Sequence, residues 1–279
     1  MEGIIVIFDF DKTIIDVDSD NWVVDELGFT ELFNLLLPTM PWNTLMDTMM
    51  KEIHAQGYTI DRISEVLTRV PIHPRVVAAI KTAHAMGCDL RVVSDANTFF
   101  IDTVLSHLGV QDYFSEIHTN PSYVDEQGRL RIIPHHQDFV KSSHGCCYPC
   151  PPNMCKGEVI KRILLEEANK KTIIYLGDGC GDYCPSLKLR DYDHVMPRKN
   201  FPAWDLIKGN QSLVRAKIHE WSDGAELEQV LLSTIQDINL SQFLNVDFGD
   251  RTLARGDDLL KTLPTGLDLA TPLLVGGRR

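Results

Sequence analysis

The sequence predicts an α/β fold, a doubly wound parallel sheet with a helical insert after its first strand. Three observations lead there. Ile4 to Phe8 is an unbroken apolar run of strand length, which suits a strand buried on both faces. Similar runs at Asp89–Val93 and Thr172–Leu176 alternate with stretches of helical periodicity, as in linked βαβ units. Each of these strands ends in a polar cluster: Asp9, Asp11 and Thr13; Ser94, Asp95 and Asn97; Asp178 and Asp182.

The elements follow in order. After the first strand, residues 20–70 carry apolar side chains at helical spacing, in the groups Trp22/Val23/Leu27, Leu32/Phe33/Leu36 and Leu45/Met49/Ile53. Pro38, Pro41 and Gly57 divide this stretch, and Pro71 and Pro74 close it. Arg75 to Met86 reads as an amphipathic helix stopped by Gly87. The second strand, Asp89–Val93, is followed by a helix over Thr98–Leu108 and a third strand over Phe114–Thr119. Residues Tyr123 to Ile132 read as a hairpin turning near Gly128. His135 to Pro152 is irregular and rich in His, Cys and Pro. A helix over Cys155–Ala168, the strand at Thr172–Leu176 and a short strand at Asp193–Met196 complete the alternation. Helices at Phe201–Ile207 and Gly224–Gln236 follow, and periodicity fades after about Asn239. The expected domains are a core of 1–15 and 87–238, with a hairpin and Cys-rich insert at about 115–155, a helical cap at 16–86, and a loose tail at 239–279.

The chain has 279 residues, of which 44% are hydrophobic and 24% charged, a composition that excludes wholesale disorder. Its net charge of −12 is a poor surface for nucleic acid or anionic lipid, so neither partner is expected. If the protein handles an anion, a bound cation must reverse the sign locally. No basic leader segment and no apolar stretch near 20 residues is present, so neither a secretory signal nor a membrane span is expected. An odd count of 7 cysteines fits free thiols in a reducing compartment, and the expected location is the cytoplasm.

In an open parallel sheet, ligands bind beyond the carboxyl ends of the strands, where residues distant in sequence converge. A single Asp after a strand is commonly a helix cap, and Asp95 or Asp182 alone reads that way. The whole set does not. Several carboxylates gathered at one site repel each other and desolvate badly without a cation, and oxygen donors of this kind suit Mg²⁺.

Asp9-Phe10-Asp11-Lys12-Thr13 resembles the DxDxT signature of the haloacid dehalogenase (HAD) superfamily phosphatases. Ser94, Lys156 and the run Gly177-Asp178-Gly179-Cys180-Gly181-Asp182 match its second, third and fourth motifs in order. The resemblance implies an HAD-like, Rossmannoid core and a set of roles. Asp9 is the expected nucleophile and forms an aspartyl-phosphate. Asp11 is the expected acid and then base. Ser94 binds phosphoryl oxygens, and Lys156 neutralises charge. Asp9, the Asp11 carbonyl, Asp178 and Asp182 hold Mg²⁺. A cation at a helix start opposes the helix dipole, which itself favours a functional Lys156.

The runs Ile14 to Asp20, Ser94 to Phe99 and Cys150 to Gly157 look like the phosphoethanolamine/phosphocholine phosphatases. The plant phosphate-starvation-induced branch of that group includes enzymes described as pyrophosphatases and as thiamine monophosphate phosphatase-like proteins. The expected substrate is therefore a small phosphate ester, first phosphoethanolamine or phosphocholine. Asp20 and Asp95 are extra carboxylates for an ammonium group, Trp22 is a cation–π candidate, and Asn97 completes the expected substrate contacts. Equally, Asp20 reads as a helix cap and Trp22 as core. Pyrophosphate calls for additional cations, with Arg129, Arg131, Lys141 and Arg198 as candidates, and thiamine monophosphate for an apolar slot such as Met46–Met50. Phosphoryl transfer to an acceptor other than water, or a non-catalytic phosphometabolite binder, are the remaining classes. The intact Asp9/Asp11 pair argues against the binder.

His144, Cys146, Cys147, Cys150 and Cys155 crowd one segment. The Cys147–Cys150 gap is that of a zinc knuckle, but a second pair is missing, so free thiols in a proline-braced loop are the expectation and structural zinc the lesser reading.

Overall fold

A computed structural model describes residues 3–136, 146, 148, 150–167 and 171–253, with side chains to residue 244. The chain divides into one compact unit, Met1–Ile238, and a second beginning at Asn239. The core of the first is a six-stranded parallel sheet in the order β3-β2-β1-β6-β7-β8. Its strands are β1 (Ile4–Phe8), β2 (Asp89–Asn97), β3 (Phe114–Asn120), β6 (Thr172–Gly177), β7 (His194–Pro197) and β8 (Lys217–Ile218). A separate hairpin pairs β4 (Ser122–Val124) with β5 (Leu130–Ile132), and Gly128 supplies the positive φ of 80° that its turn needs.

The central strand explains the layering. All five residues of β1 are buried, and their alternation feeds two cores. Ile4, Val6 and Phe8 join one apolar cluster, and Ile5 and Ile7 join the other. Burying each such side chain contributes roughly 1.5–3 kcal/mol, so β1 anchors both faces. The first face is covered by α5 (Pro74–Ala85), α6 (Thr98–His107) and the start of α10 (Gly224–Leu253); the second by α7 (Lys156–Glu166), α8 (Tyr183–Ser186) and α9 (Pro202–Gly209). The chain leaves β1 for β2 and β3 on one side and returns as β6 to β8 on the other. The order therefore reverses between β1 and β6, and a crevice opens at the carboxyl ends of those two strands.

Between β1 and α5 lie α1 (Ser19–Glu26), α2 (Thr30–Leu36), α3 (Trp42–Ala55) and α4 (Ile60–Leu67). The Trp22 indole N–H donates to the Val66 carbonyl at 3.0 Å and ties α1 to α4. Helix α5 falls inside the expected 16–86 cap and packs on β2. The hairpin of the expected insert packs on α6 through β4 and on α3 through β5. There Arg131 binds Asp47 through two nitrogens at 2.8 and 3.0 Å, and the Ile132 N–H adds a third bond at 3.1 Å.

Three elements differ from expectation. Strand β2 continues to Asn97 rather than ending at Val93, because Asn97 pairs with Asn120 across a register irregularity. Strand β8 is only two residues long and half-exposed, too short to show a pattern. Helix α10 runs 30 residues to Leu253 instead of stopping at Gln236; residues 254–279 of the expected tail lie outside the described residues. Among the described residues, no helix is long and apolar enough to cross a membrane.

At the sheet's far edge His194 stacks on His219, and Nδ1 of one lies 2.9 Å from Nε2 of the other. Burial, then His219 and Lys217, lower the His194 pKa from 6.5 to about 4. The unfolded chain takes up this proton below about 6.5, whereas the fold resists it until about 4, so this contribution is present above pH 6.5 and lost as pH falls toward 4. Melting temperature measured across that window is expected to fall with pH, and His194→Asn is expected to flatten the fall.

Candidate active site

Asp9 is the first residue beyond β1, and its N–H donates to the Leu176 carbonyl at the end of β6. Its side chain is 4% exposed. Oδ1 accepts the Phe10 N–H at 2.7 Å and the Lys156 ammonium at 2.8 Å. Among the described residues nothing donates to Oδ2, and Asp9 lines a cavity of about 400 Å³ at the strand ends. Lys156 is the first residue of α7 and is 2% exposed. Burial alone would lower its pKa, but Asp182 and Asp9 outweigh that and hold it well above the lysine range. Their burial makes each charge depend on the other.

Asp182 is fully occupied. Oδ1 accepts Lys156 at 2.9 Å and the Tyr175 hydroxyl at 2.6 Å, and Oδ2 accepts the N–H groups of Asp178 and Gly179 at 3.0 and 2.9 Å. Gly177 permits this approach, because a Cβ there would stand 2.4 Å from Asp182 Cγ. Tyr175, which the sequence motifs do not single out, is buried on β6 and was legible only as an apolar strand position.

Asp178 differs. It is 6% exposed, yet its carboxylate accepts no hydrogen bond among the described residues. Burial, then Asp182, raise its pKa to about 7. Oxygens of Asp9, Asp178 and Asp182 all lie within 4.8 Å of one another. Three buried carboxylates gather near one ammonium, which pairs with two of them, and among the described residues the third, Asp178, has no donor. This all-oxygen set fits a hard divalent cation such as Mg²⁺. Asp178 and Asp9 have oxygens left to ligate, whereas the four donors on Asp182 leave it to hold Lys156 and the Gly177–Gly179 turn.

Asp11 lines the same cavity. Oδ1 accepts the Ser19 N–H at 2.9 Å, and burial, then Asp18 and Asp20, raise its pKa well above the carboxylate range. Lys12, beside it, adopts a left-handed φ of 54° and also lines the cavity. Its carbonyl accepts from Arg198 Nη1 at 2.6 Å, which steadies this uncommon conformation. Ser94 is wholly buried in the bulged part of β2, and its Oγ accepts the Ala96 N–H at 3.3 Å.

A second cavity of about 300 Å³ adjoins the first and shares Asp11, Asp18, Asp95 and Pro151. Asp20, Trp42 and Asn153 complete it. The Trp42 indole N–H donates to Asp20 Oδ2 at 2.7 Å. Burial, then Asp18, raise the Asp20 pKa to about 8. Asp95 is half-exposed, with Oδ1 3.6 Å from Lys156.

Several sequence assignments change. The cap of α1 is Asp18, which accepts the Asn21 N–H at 3.0 Å, so Asp20 is released to face the cavity. Trp22 packs on α4 and lines neither cavity; the aromatic wall is Trp42, masked in the sequence by its place at the start of an apolar helix. Asn97 caps α6 by accepting the Phe100 N–H at 3.1 Å and also lines neither cavity. Met46, Met49 and Met50 are buried core, not a slot. Two candidate cations are engaged elsewhere, Arg129 with Asp125 and Arg131 with Asp47, while Arg198 holds the carbonyl of the cavity-lining Lys12 and pairs with Asp16. Lys141, His144 and Cys147 lie outside the described residues.

Residues 4–235 match the family described as Putative Phosphatase. The chain is 65% identical to "Inorganic pyrophosphatase 1" of Arabidopsis thaliana over 84% of its length and 80% of the relative's. It is 48% identical to that plant's "Thiamine phosphate phosphatase-like protein", over 85% and 98%. It is 32% identical to the human "Phosphoethanolamine/phosphocholine phosphatase", over 81% and 88%. The fold is similar to that of a substrate-bound phosphoserine phosphatase, with a TM-score of 0.54 at 14% identity, covering 82% of this chain and 98% of that one.

The two neighbouring aspartates are expected to separate by stability. Asp182→Asn, or Gly177→Ala, removes the support of a buried lysine and is expected to cost about 3 kcal/mol in chelator-treated protein. Asp178→Asn removes a carboxylate without donors and is expected to leave the melting temperature unchanged or higher. Thermal melts of the three variants check this.

Proposed function

The chain belongs to this family of HAD-type phosphatases; from that premise we propose that it works through an aspartyl-phosphate on Asp9, with inorganic pyrophosphate, a phosphoric anhydride, as its leading substrate and phosphoric monoesters as the second class. The observation that carries the chemistry is the placement of Asp9. One oxygen is fixed by Lys156 and the Phe10 N–H; the other has no donor among the described residues, and Asp9 lines the cavity.

Asp9 Oδ2 attacks phosphorus, and the bond from phosphorus to the leaving oxygen breaks. Asp11, kept protonated by burial and by its acidic neighbours, gives its proton to that oxygen. As a carboxylate it then takes a proton from the water that attacks the phosphoryl group, which restores Asp9 and Asp11. Lys156 faces the charge that develops on the phosphoryl oxygens. Asp9, Asp178 and the Asp11 carbonyl are the groups to hold Mg²⁺, which supplies charge neutralisation at those oxygens when bound.

Two relatives named inorganic pyrophosphatases, 65% and 63% identical, support the choice of substrate. With the phosphoryl group at Asp9, the adjoining cavity offers the leaving group Asp18, Asp20 and Asp95. A free polyanion is repelled there, so pyrophosphate is expected to enter as its divalent-cation complex. The same acidic cavity supports a second reading, phosphoethanolamine or phosphocholine, whose ammonium faces Asp20 and Asp95 with Trp42 as the aromatic wall. Thiamine monophosphate has less support, since the methionine run is core.

Asp9→Asn is expected to abolish hydrolysis while the protein stays folded, and substantial residual turnover would sink the nucleophile assignment. Asp11→Asn is expected to lower kcat about 10²–10⁴-fold. A kcat/KM panel over pyrophosphate, phosphoethanolamine, phosphocholine and thiamine monophosphate ranks the readings. Pyrophosphate is expected to lead, with an Asp20→Asn variant shifting its requirement for free Mg²⁺. A lead for the amino-alcohol phosphates, lost selectively in Asp20→Asn, transfers the assignment to the second reading.

A further inference from the structure

Beside the active-site cavity, whose lining includes Cys150, four cysteines meet. Cys146 and Cys150 belong to the irregular segment before α7, Cys155 is the N-cap residue of α7, and Cys184 lies in α8. The sulfur of Cys146 is 3.5 Å from those of Cys150 and Cys184, and that of Cys155 is 3.7 Å from Cys150 and 3.9 Å from Cys184. All four sulfurs lie within 4.8 Å of one another. A disulfide requires about 2.05 Å, so none of these contacts is one.

The spacing has a specific meaning. Zinc holds thiolates at about 2.3 Å in a tetrahedron, whose edges are then about 3.8 Å. The four edges above, at 3.5 to 3.9 Å, fall around that value. The surroundings are shaped for the approach as well. A Cβ on Gly157 would stand 2.3 Å from the Cys184 sulfur, so only glycine at the second position of α7 admits it. Cys155 and Cys184 are buried, and the N-terminus of α7 beside Cys155 favours a thiolate there. Closed sites with four protein ligands are structural rather than catalytic.

We propose that Cys146, Cys150, Cys155 and Cys184 form a structural zinc site. The fourth ligand that the crowded segment lacked in sequence is Cys184, which follows β6 in the chain. The site's consequence is local. Cys150 and Pro151 line the main cavity, Lys156 follows Cys155 directly, and Cys184 lies two residues beyond Asp182. One ion therefore fastens the cavity's wall to both helix starts that carry the buried lysine and its carboxylate partner.

Metal analysis of the full chain, purified under reducing conditions from zinc-replete cells, tests this. About one zinc per chain is expected, released by a mercurial thiol reagent, near zero in Cys184→Ser and Cys146→Ser, and retained in Asp178→Asn. Cobalt loaded in its place is expected to show thiolate charge-transfer absorption. Folded protein without zinc overturns the proposal. So does zinc that survives Cys184→Ser but not Asp178→Asn, or an intact mass showing disulfides among these cysteines.

Discussion

One buried ammonium organises this molecule. Lys156 Nζ lies 2.8 Å from Asp9 and 2.9 Å from Asp182, and all three side chains are almost without solvent. A charge so placed is tolerable only with its partners, and the partners only with it. The sheet exists to bring them together. Parallel pairing of β1 with β6 sets Asp9 beside the turn that carries Asp178 and Asp182. Gly177 leaves the space for Asp182 to turn back, and Tyr175 and two backbone N–H groups then fix it. Lys156 enters from the start of α7 against the helix dipole, which the two carboxylates outweigh.

The acidity of the chain takes on a different sense in this light. A net charge of −12 argues against an anionic ligand, yet among the described residues the cavity gathers Asp9, Asp11, Asp18, Asp95 and Asp178 around Lys12 and Lys156. Under the proposed function, that excess is what a divalent cation would neutralise, with phosphate held on the cation and lysine side. Beyond Asp11 the second cavity stays acidic through Asp18 and Asp20. Under the same proposed function, substrates would be sorted there by how much positive charge accompanies the leaving group, whether as an ammonium or as a bound metal.

Much of this was legible in the residues. The five apolar residues before Asp9 announced a doubly buried strand, and polar clusters at three strand ends marked the crevice. Gly128 marked the hairpin turn. What stayed hidden depends on tertiary packing. Trp42 opens an apolar helix and carries no local mark of its contact with Asp20. Tyr175 sits within an apolar strand, and its hydroxyl acquires meaning only once Asp182 folds back. Trp22 and Asn97 lie near the motifs in sequence, but strand and helix geometry aim them at α4 and at the α6 backbone. Cys184 is separated from the other cysteines by a helix and a strand, so the fourfold cluster has no one-dimensional signature.

With Asp9 as the proposed nucleophile, turnover would pass through a covalent phosphoenzyme. Rapid acid quench during turnover of ³²P-labelled pyrophosphate, followed by peptide mapping of the trapped label, detects it. A hydroxylamine-labile acyl phosphate is expected on the peptide carrying Asp9, present in wild type and absent in Asp9→Asn. Turnover with no trapped label, or label on a residue other than Asp9, would contradict that assignment.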